Sequence, residues 1–304
     1  MAKNCLLVSA GWLLTAKEDR ACYEDWAFLI EDGIVSDMGP RKDLYAKYST
    51  TDKLALDEHI ICPGLINCHN HAAMKLMRGL GQGLNLDDWL HQAIWPFEKE
   101  HLDAPTVGLG AELAMVEMLM SGITTFSDMY FFPETVASVA ERLGLNIQLA
   151  VPIISLDTRW ARGSEECIHQ ALALHDLYRD HQHVSVSFGP HSVEALDLET
   201  LEQIGMYADE LDLGIQIHLQ ETSGELDRAL KKYGHSFVVL LKKIGLMNER
   251  LQVVHAVHLT SEDKAILAET NANVIHCPSS NLLLGSGICP SKDLLELGVN
   301  VALG

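Results

Sequence analysis

The sequence is short of positive charge, of paired cysteines and of long apolar runs, and each shortage removes a class of function. Lys and Arg number 22 against 42 Asp and Glu, a formal net charge of −20. Nucleic acids and anionic membranes are gripped by clustered Lys and Arg, so this balance argues against both as partners. It suits a soluble enzyme. Seven cysteines (Cys5, Cys22, Cys62, Cys68, Cys167, Cys277, Cys289) are scattered and nowhere spaced Cys-x-x-Cys, which points to neither a disulfide framework nor a zinc ribbon. A reducing, cytoplasmic setting fits them. The apolar patch Cys5 to Ala10 is interrupted by Gly11-Trp12. Lys17-Glu18-Asp19-Arg20 follow without a small-residue cleavage site, so the patch is not read as a secretion leader. No run is long enough to span a bilayer, and no low-complexity tract or charge block breaks the chain.

What is present is apolar substance in a regular pattern. Of 304 residues, 48% are apolar, enough for a large core, and an α/β barrel uses such a length as one unit. Residues 1–60 alternate short apolar runs (Leu6 to Val8, Trp12 to Leu14, Trp26 to Ile30, Ile34-Val35) with turn signals, and the Asp32-Gly33 step predicts a hairpin. A small β-rich domain is expected there, incomplete in itself, because so few strands usually need partners from elsewhere in the full protein. From Pro63 the pattern becomes short strands separated by helical stretches, the mark of repeated βα units. Eight strands are predicted, at 64–68, 124–129, 147–154, 184–188, 214–219, 251–257, 273–277 and 299–303. Helices are predicted at 107–120, 133–143, 164–178, 198–211, 224–233, 261–269 and 292–297. The fold class is therefore α/β, a TIM (β/α)8 barrel over residues 61–304. Gly122, Gly144, Gly245 and Gly298 fall near helix ends, where a left-handed cap favours glycine. Met115, Met118 and Met120 are read as core packing.

The chain is organised around Ile60-Ile61-Cys62-Pro63-Gly64-Leu65-Ile66-Asn67-Cys68-His69-Asn70-His71, read as a buried strand ending in two histidines. Residues i and i+2 of a strand share a face, so His69 and His71 aim both imidazoles into one space, a metal-gripping arrangement. The competing reading is a pair of ordinary histidines at a strand end. In a barrel, chemistry collects at the C-terminal strand ends. The fourth predicted strand ends in Gly189-Pro190-His191-Ser192, the fifth in His218-Leu219-Gln220-Glu221, and the sixth carries His255. His59, His91, His101, His175, His181, His183 and His235 fall in predicted helices or loops and need only solvation, while His258 and His276 are read as structural.

The segments Pro-Gly-Leu-Ile-Asn-Cys-His-Asn-His at 63–71, Phe-Ser-Asp-Met-Tyr at 126–130, Phe-Gly-Pro-His-Ser at 188–192 and Ile-His-Leu-Gln-Glu-Thr at 217–222 carry a family resemblance. So do His-Ala-Val-His-Leu at 255–259 and Pro-Ser-Ser-Asn-Leu-Leu-Leu-Gly-Ser-Gly at 278–287. Together they resemble the amidohydrolase superfamily in its nucleoside and nucleobase deaminase branch, and over essentially the whole chain the 5-methylthioadenosine/S-adenosylhomocysteine deaminase family. The resemblance implies metal-dependent hydrolytic deamination of a purine nucleoside to the inosine derivative plus ammonia. It implies His69, His71 and His218 as ligands of one Zn²⁺ per subunit, nitrogen ligands suiting iron as well. Glu221 is implied to give a proton to the purine ring nitrogen, against the alternative of a solvated loop carboxylate. His255 is implied to hydrogen-bond the attacking water, against the alternative of a further metal ligand. Glu98, in Trp-Pro-Phe-Glu, resembles the glutamate that clasps ribose hydroxyls, with His191 as a second ribose-side contact. Trp89 either walls the pocket or packs its helix, and Arg159 or Arg162 pairs with the carboxylate of a homocysteine tail.

The resemblance stops short at one place. Family members carry a metal-binding aspartate after the eighth strand, in a Leu-Gly-Thr-Asp-Gly context, whereas the sequence reads Ala302-Leu303-Gly304 and ends. The expectation is a fragment, or a product truncated after the eighth strand, with an impaired site. Two rival expectations follow: the same chemistry on another amino-heterocycle such as guanine or a triazine, or a non-catalytic barrel acting as a binding or scaffold protein. A homo-oligomer is left open.

Overall fold

A computed structural model describes residues 5–16 and 21–304, and Lys17–Arg20, read above as lacking a small-residue cleavage site, lie outside the described residues. The chain divides into two compact units, Met1–Gly64 and Leu65–Gly304.

The first unit is a four-stranded sheet of β1 (Cys5–Leu14), β2 (Cys22–Glu31), β3 (Ile34–Pro40) and β4 (Asp52–Ile61), ordered β3-β2-β1-β4. Strands β2 and β3 join at the predicted hairpin, with Asp32 and Gly33 both at positive φ (51° and 86°), the conformation a two-residue primed turn requires. The predicted runs Leu6 to Val8 and Trp12 to Leu14 are one strand, irregular between Ala10 and Trp12. Gly11 lies at that irregularity, where an added Cβ would sit 2.1 Å from the Asp57 carbonyl oxygen of β4. Leu7, Ala27, Leu29 and Leu44, the last on the helix Arg41–Lys47, form this unit's core.

The stretch read as one buried strand leading to His69 is in fact two. β4 ends at Ile61, itself following an exposed Ile60, and a new strand, β5 (Leu65–Asn70), begins after Cys62-Pro63-Gly64. Proline has no N–H for a ladder and glycine leaves the backbone loose, so the dipeptide is where the pairing changes sheet. His59, expected in a helix or loop, lies on β4.

The second unit is a nearly closed barrel of eight parallel strands. β5 is followed by β6 (Ile123–Asp128), β7 (Asn146–Ile153), β8 (Val184–Pro190), β9 (Ile215–Leu219), β10 (Leu251–His255), β11 (Asn273–His276) and β12 (Val301–Leu303). Each pairs with its neighbour in sequence, the order that right-handed crossover helices produce. Strands buried on both faces read as apolar runs, and Leu149, Val151, Phe188, Ile217 and Val253 are essentially inaccessible. The helix Ala104–Met120 buries Val107, Ala111, Met115 and Met118 at helical spacing. Met120, expected in the core, is 84% exposed because two residues past Met118 lies on the opposite face. Gly110 on the same helix lets it close on the turn after His71, since a Cβ there would come 2.4 Å from the Ala73 carbonyl oxygen. Among the described residues no helix is long and apolar enough to cross a membrane.

Candidate metal centre

The C-terminal ends of five barrel strands bring the site together. His69 lies on β5 and His71 just beyond it, Met129 and Tyr130 follow β6, His191 follows β8, His218 lies on β9, and His255 ends β10. The rings of His69 and His71 are 4.7 Å apart, those of His69 and His218 4.8 Å, and those of His71 and His218 5.3 Å. His255 stacks near His218 at 5.4 Å, and His191 lies 4.8 Å from His218 on its other side. One ring nitrogen each from His69, His218 and His255 lies within 4.8 Å of the others, so the structure offers His255 as well as His71 beside the His69–His218 pair.

Each of three imidazoles has one nitrogen committed elsewhere. His71 Nδ1 donates to the Met129 carbonyl (2.6 Å) and His218 Nδ1 to the His191 carbonyl (2.7 Å), acceptors that carry no proton of their own. His69 Nδ1 faces Gln216 Oε1 at 2.7 Å. The Gln216 amide is held the other way round, its Nε2 directed to the Cys68 carbonyl, Ser127 Oγ and Gln252 Oε1, so its oxygen accepts from His69. In neutral rings the proton is then on Nδ1 and the lone pair on Nε2. Yet His69 Nε2 and His218 Nε2 stand only 3.1 Å apart.

Two lone pairs face to face repel unless a proton or a cation lies between them, and protonation is opposed here. Burial, followed by the neighbouring imidazoles, pulls both His69 and His218 well below the usual histidine range. His71 and His191 keep part of their surface at the mouth, yet desolvation takes each down to about 4. A divalent cation relieves the repulsion and takes the neutral nitrogens as they stand, so the donor set fits a metal.

Two further groups look onto this space. Glu221, 7% exposed, and His255, 5% exposed, approach at 3.4 Å between Oε2 and Nε2. Glu221 is turned inward by Gln220, whose φ of 50° is unusual for a side chain of its size. That backbone is held by the buried Glu225, whose carboxylate accepts the N–H groups of Gln220 (2.8 Å) and Glu221 (2.9 Å). At the end of β10, His255 and Ala256 are both left-handed (76° and 47°), each costing about 1–3 kcal/mol that the surroundings must offset.

The residues expected to read the substrate are placed less uniformly. Glu98, on the helix Trp95–His101, accepts a 2.6 Å hydrogen bond from the Tyr130 hydroxyl, and burial raises its pKa against that bond. Arg159 is exposed and donates to the Glu100 carbonyl (2.9 Å), two residues from Glu98. Arg162 is exposed and its backbone N–H meets Glu166, and among the described residues no contact draws its side chain to the histidines. Trp89 packs on the barrel core and donates its indole N–H to the Leu80 carbonyl at 2.9 Å. His258 and His276 stand apart from the cluster, His258 bonding the Ser286 carbonyl and His276 leaving Nδ1 without a partner among the described residues.

Sequence reasoning misses the residues that hold others in place: Gln216, Met129, Tyr130, Asn281 and Ser286. Gln216 was within reach, since it lies two positions before His218 on the same face of β9. Met129 acts through its carbonyl, which no side-chain pattern reveals.

A profile of the amidohydrolase family matches residues 60–304. A 5-methylthioadenosine/S-adenosylhomocysteine deaminase of Teredinibacter turnerae is 41% identical over 98% of the chain and 67% of its own length. One of the same name from Pyrococcus furiosus is 38% identical, over 98% of the chain and 70% of the relative. Among solved structures, an adenosine deaminase from Xanthomonas campestris with bound zinc superposes with a TM-score of 0.91 at 33% identity, covering 98% of the chain and 68% of that protein. The chain thus spans about two thirds of the length of the proteins it matches.

Proposed function

The chain belongs to the amidohydrolase family, among its 5-methylthioadenosine/S-adenosylhomocysteine deaminases, and from that premise we propose that it hydrolyses the C–NH₂ bond of these two nucleosides to the inosine derivatives and ammonia. The observation that carries the proposal is the pair of opposed Nε2 atoms, 3.1 Å apart, in rings whose other nitrogens are committed.

His69, His71 and His218 would hold the metal, with zinc the reading supported by the zinc-bound relative. When bound, it supplies a Lewis acid that brings the pKa of a water down to about 7. The chain's own residues do the rest. Glu221 carries a proton to the ring nitrogen next to the amine-bearing carbon, so that this carbon accepts the water oxygen. His255 accepts a hydrogen bond from that water and holds the oxygen as the carbon becomes tetrahedral. The C–N bond then breaks, the amine nitrogen taking one proton of the water to leave as ammonia while the other proton returns to Glu221.

Glu98 offers the ribose hydroxyls a carboxylate whose second oxygen is unclaimed by Tyr130, and His191, its ring 4.8 Å from that of His218, is the second ribose-side contact of this reading. Arg159 is the better placed of the two arginines for a homocysteine carboxylate, given its bond to the helix that carries Glu98. The seven free thiols accord with a cytoplasmic setting. The test is ammonia release with added Zn²⁺ from 5-methylthioadenosine, S-adenosylhomocysteine, guanine and an amino-triazine. It is run on this chain and on one lengthened through a Thr-Asp-Gly continuation. Turnover of the two nucleosides by either form is expected, and metal binding without nucleoside turnover in both refutes the assignment.

A further inference from the structure

One short segment reaches both Glu221 and His255. It is the helix Pro278–Leu283 with the turn that follows it. Asn281 is fully buried, and its Oδ1 lies 2.7 Å from His255 Nδ1. With an amide oxygen as partner, Nδ1 carries the ring proton and Nε2, the nitrogen 3.4 Å from Glu221, keeps its lone pair. Five residues on, the Ser286 hydroxyl donates to Glu221 Oε1 at 3.0 Å, leaving Oε2 to face His255.

Ser286 is itself fixed from both sides of its backbone. Its N–H donates to the Asn281 carbonyl (2.8 Å), and its carbonyl accepts from His258 Nε2 (2.8 Å). The glycines on either side are both left-handed, at φ 70° and 119°, and a Cβ on Gly287 would come 2.9 Å from Val257. Gly287 thus has no room for a side chain and Gly285 a backbone that side chains rarely adopt, and between them the serine hydroxyl reaches Glu221. Asn281 does this at a cost, because its amide nitrogen is buried without a partner among the described residues. An asparagine whose only role was to fill the core would be better replaced by leucine.

We propose that this segment is the positioning element of the reaction: Asn281 fixes His255 as the Nδ1–H tautomer, and Ser286 fixes Glu221 with Oε2 turned to the same space. The inference rests on the roles given above to Glu221 and His255, and makes Asn281 and Ser286 positioning residues that touch neither substrate nor metal. Binding of the nucleoside is then independent of the segment, whereas proton transfer is not.

The experiment reads the tautomer directly, by ¹⁵N imidazole NMR of the metal-free chain, with the His255 signals assigned by their loss in His255→Gln. The expected result is Nδ1–H in the wild type, Nδ1–H again in Asn281→Asp, which keeps the acceptor, and loss of that preference in Asn281→Leu. Asn281→Ala, smaller and also lacking the acceptor, replaces the leucine variant should that not fold. An Nε2–H tautomer in the wild type, or Nδ1–H retained in a folded variant without the acceptor, overturns the proposal. In the form that turns over, Ser286→Ala lowers kcat about 10-fold with KM within about two-fold, and Ser286→Thr restores most of it. A rise in KM with kcat unchanged would also overturn it. If no amino-heterocycle is deaminated while the tautomer behaves as expected, the functional assignment falls and the positioning of His255 stands.

Discussion

The floor of the site and its rim are built on different terms. His69 and His218 lie on strands, are buried, and point Nδ1 at a partner fixed by the barrel: Gln216 on β9 or the carbonyl after β8. At the rim proposed above, Glu98, Trp89, Arg159 and Arg162 sit on short helices and a loop, partly or wholly exposed, and Arg159 and Trp89 spend donors on nearby carbonyls. A rigid floor suits a reaction that is the same for every substrate, and a looser rim suits the part that differs between relatives.

The largest effect expected from this difference falls on the floor. Chelation should abolish ammonia release entirely and restored Zn²⁺ should bring it back. Activity that survives exhaustive chelation would remove the metal from the account. One layer out, Gln216→Leu leaves all the histidines in place but frees the His69 ring. Zinc affinity is expected to fall about 10–100-fold by calorimetric titration, as loss of an outer partner generally costs. An unchanged affinity would mean that packing alone orients His69.

At the rim the expected losses are smaller and confined to substrate binding. Glu98→Gln should reduce kcat/KM for ribonucleosides by about 10–100-fold, the worth of a hydrogen bond to a charged group, with little change for analogues lacking the ribose hydroxyls. Tyr130→Phe should show the same pattern more weakly. An equal loss on the deoxy analogue would place Glu98 outside the ribose contact.

A further effect falls on stability rather than turnover, and its sign is set by burial. Asp128, 2% exposed on β6, accepts the Ala72 N–H at 2.5 Å, but desolvation raises its pKa to about 7. The folded state therefore holds a proton that the unfolded chain releases near the ordinary aspartate value of about 4. Stability from this group is full below that value, falls as pH climbs from about 4 to about 7, and stays reduced above. Asp128→Asn, which keeps the acceptor, should flatten that fall, so that its melting temperature gains on the wild type between pH 5 and pH 8. Parallel pH profiles would show that the carboxyl is not protonated in the fold.

Legibility followed the same division. The eight barrel strands were readable because buried parallel strands are apolar runs bounded by glycine and by helical periodicity, and the helices Pro133–Leu143 and Leu198–Leu211 fall where that periodicity puts them. The break at Cys62-Pro63-Gly64 was not, because β4 and β5 are adjacent apolar runs and only tertiary pairing shows that they join different sheets. His69, His71 and His218 were visible through residue type and strand position. Their orientation was not, since it depends on two main-chain carbonyls and on a glutamine held by three partners. Met120 shows the limit of composition: it has the character of its buried neighbours and the opposite side of the helix.

The central claim is that the opposed Nε2 atoms of His69 and His218 form the heart of a metal site. Calorimetric titration of the metal-free chain with Zn²⁺, beside the double variant His69→Ala, His218→Ala, tests it most directly. The account predicts one tightly bound zinc per chain, lost in the double variant while the folded state persists. Undiminished zinc binding by that variant, or none by the parent chain, would contradict it.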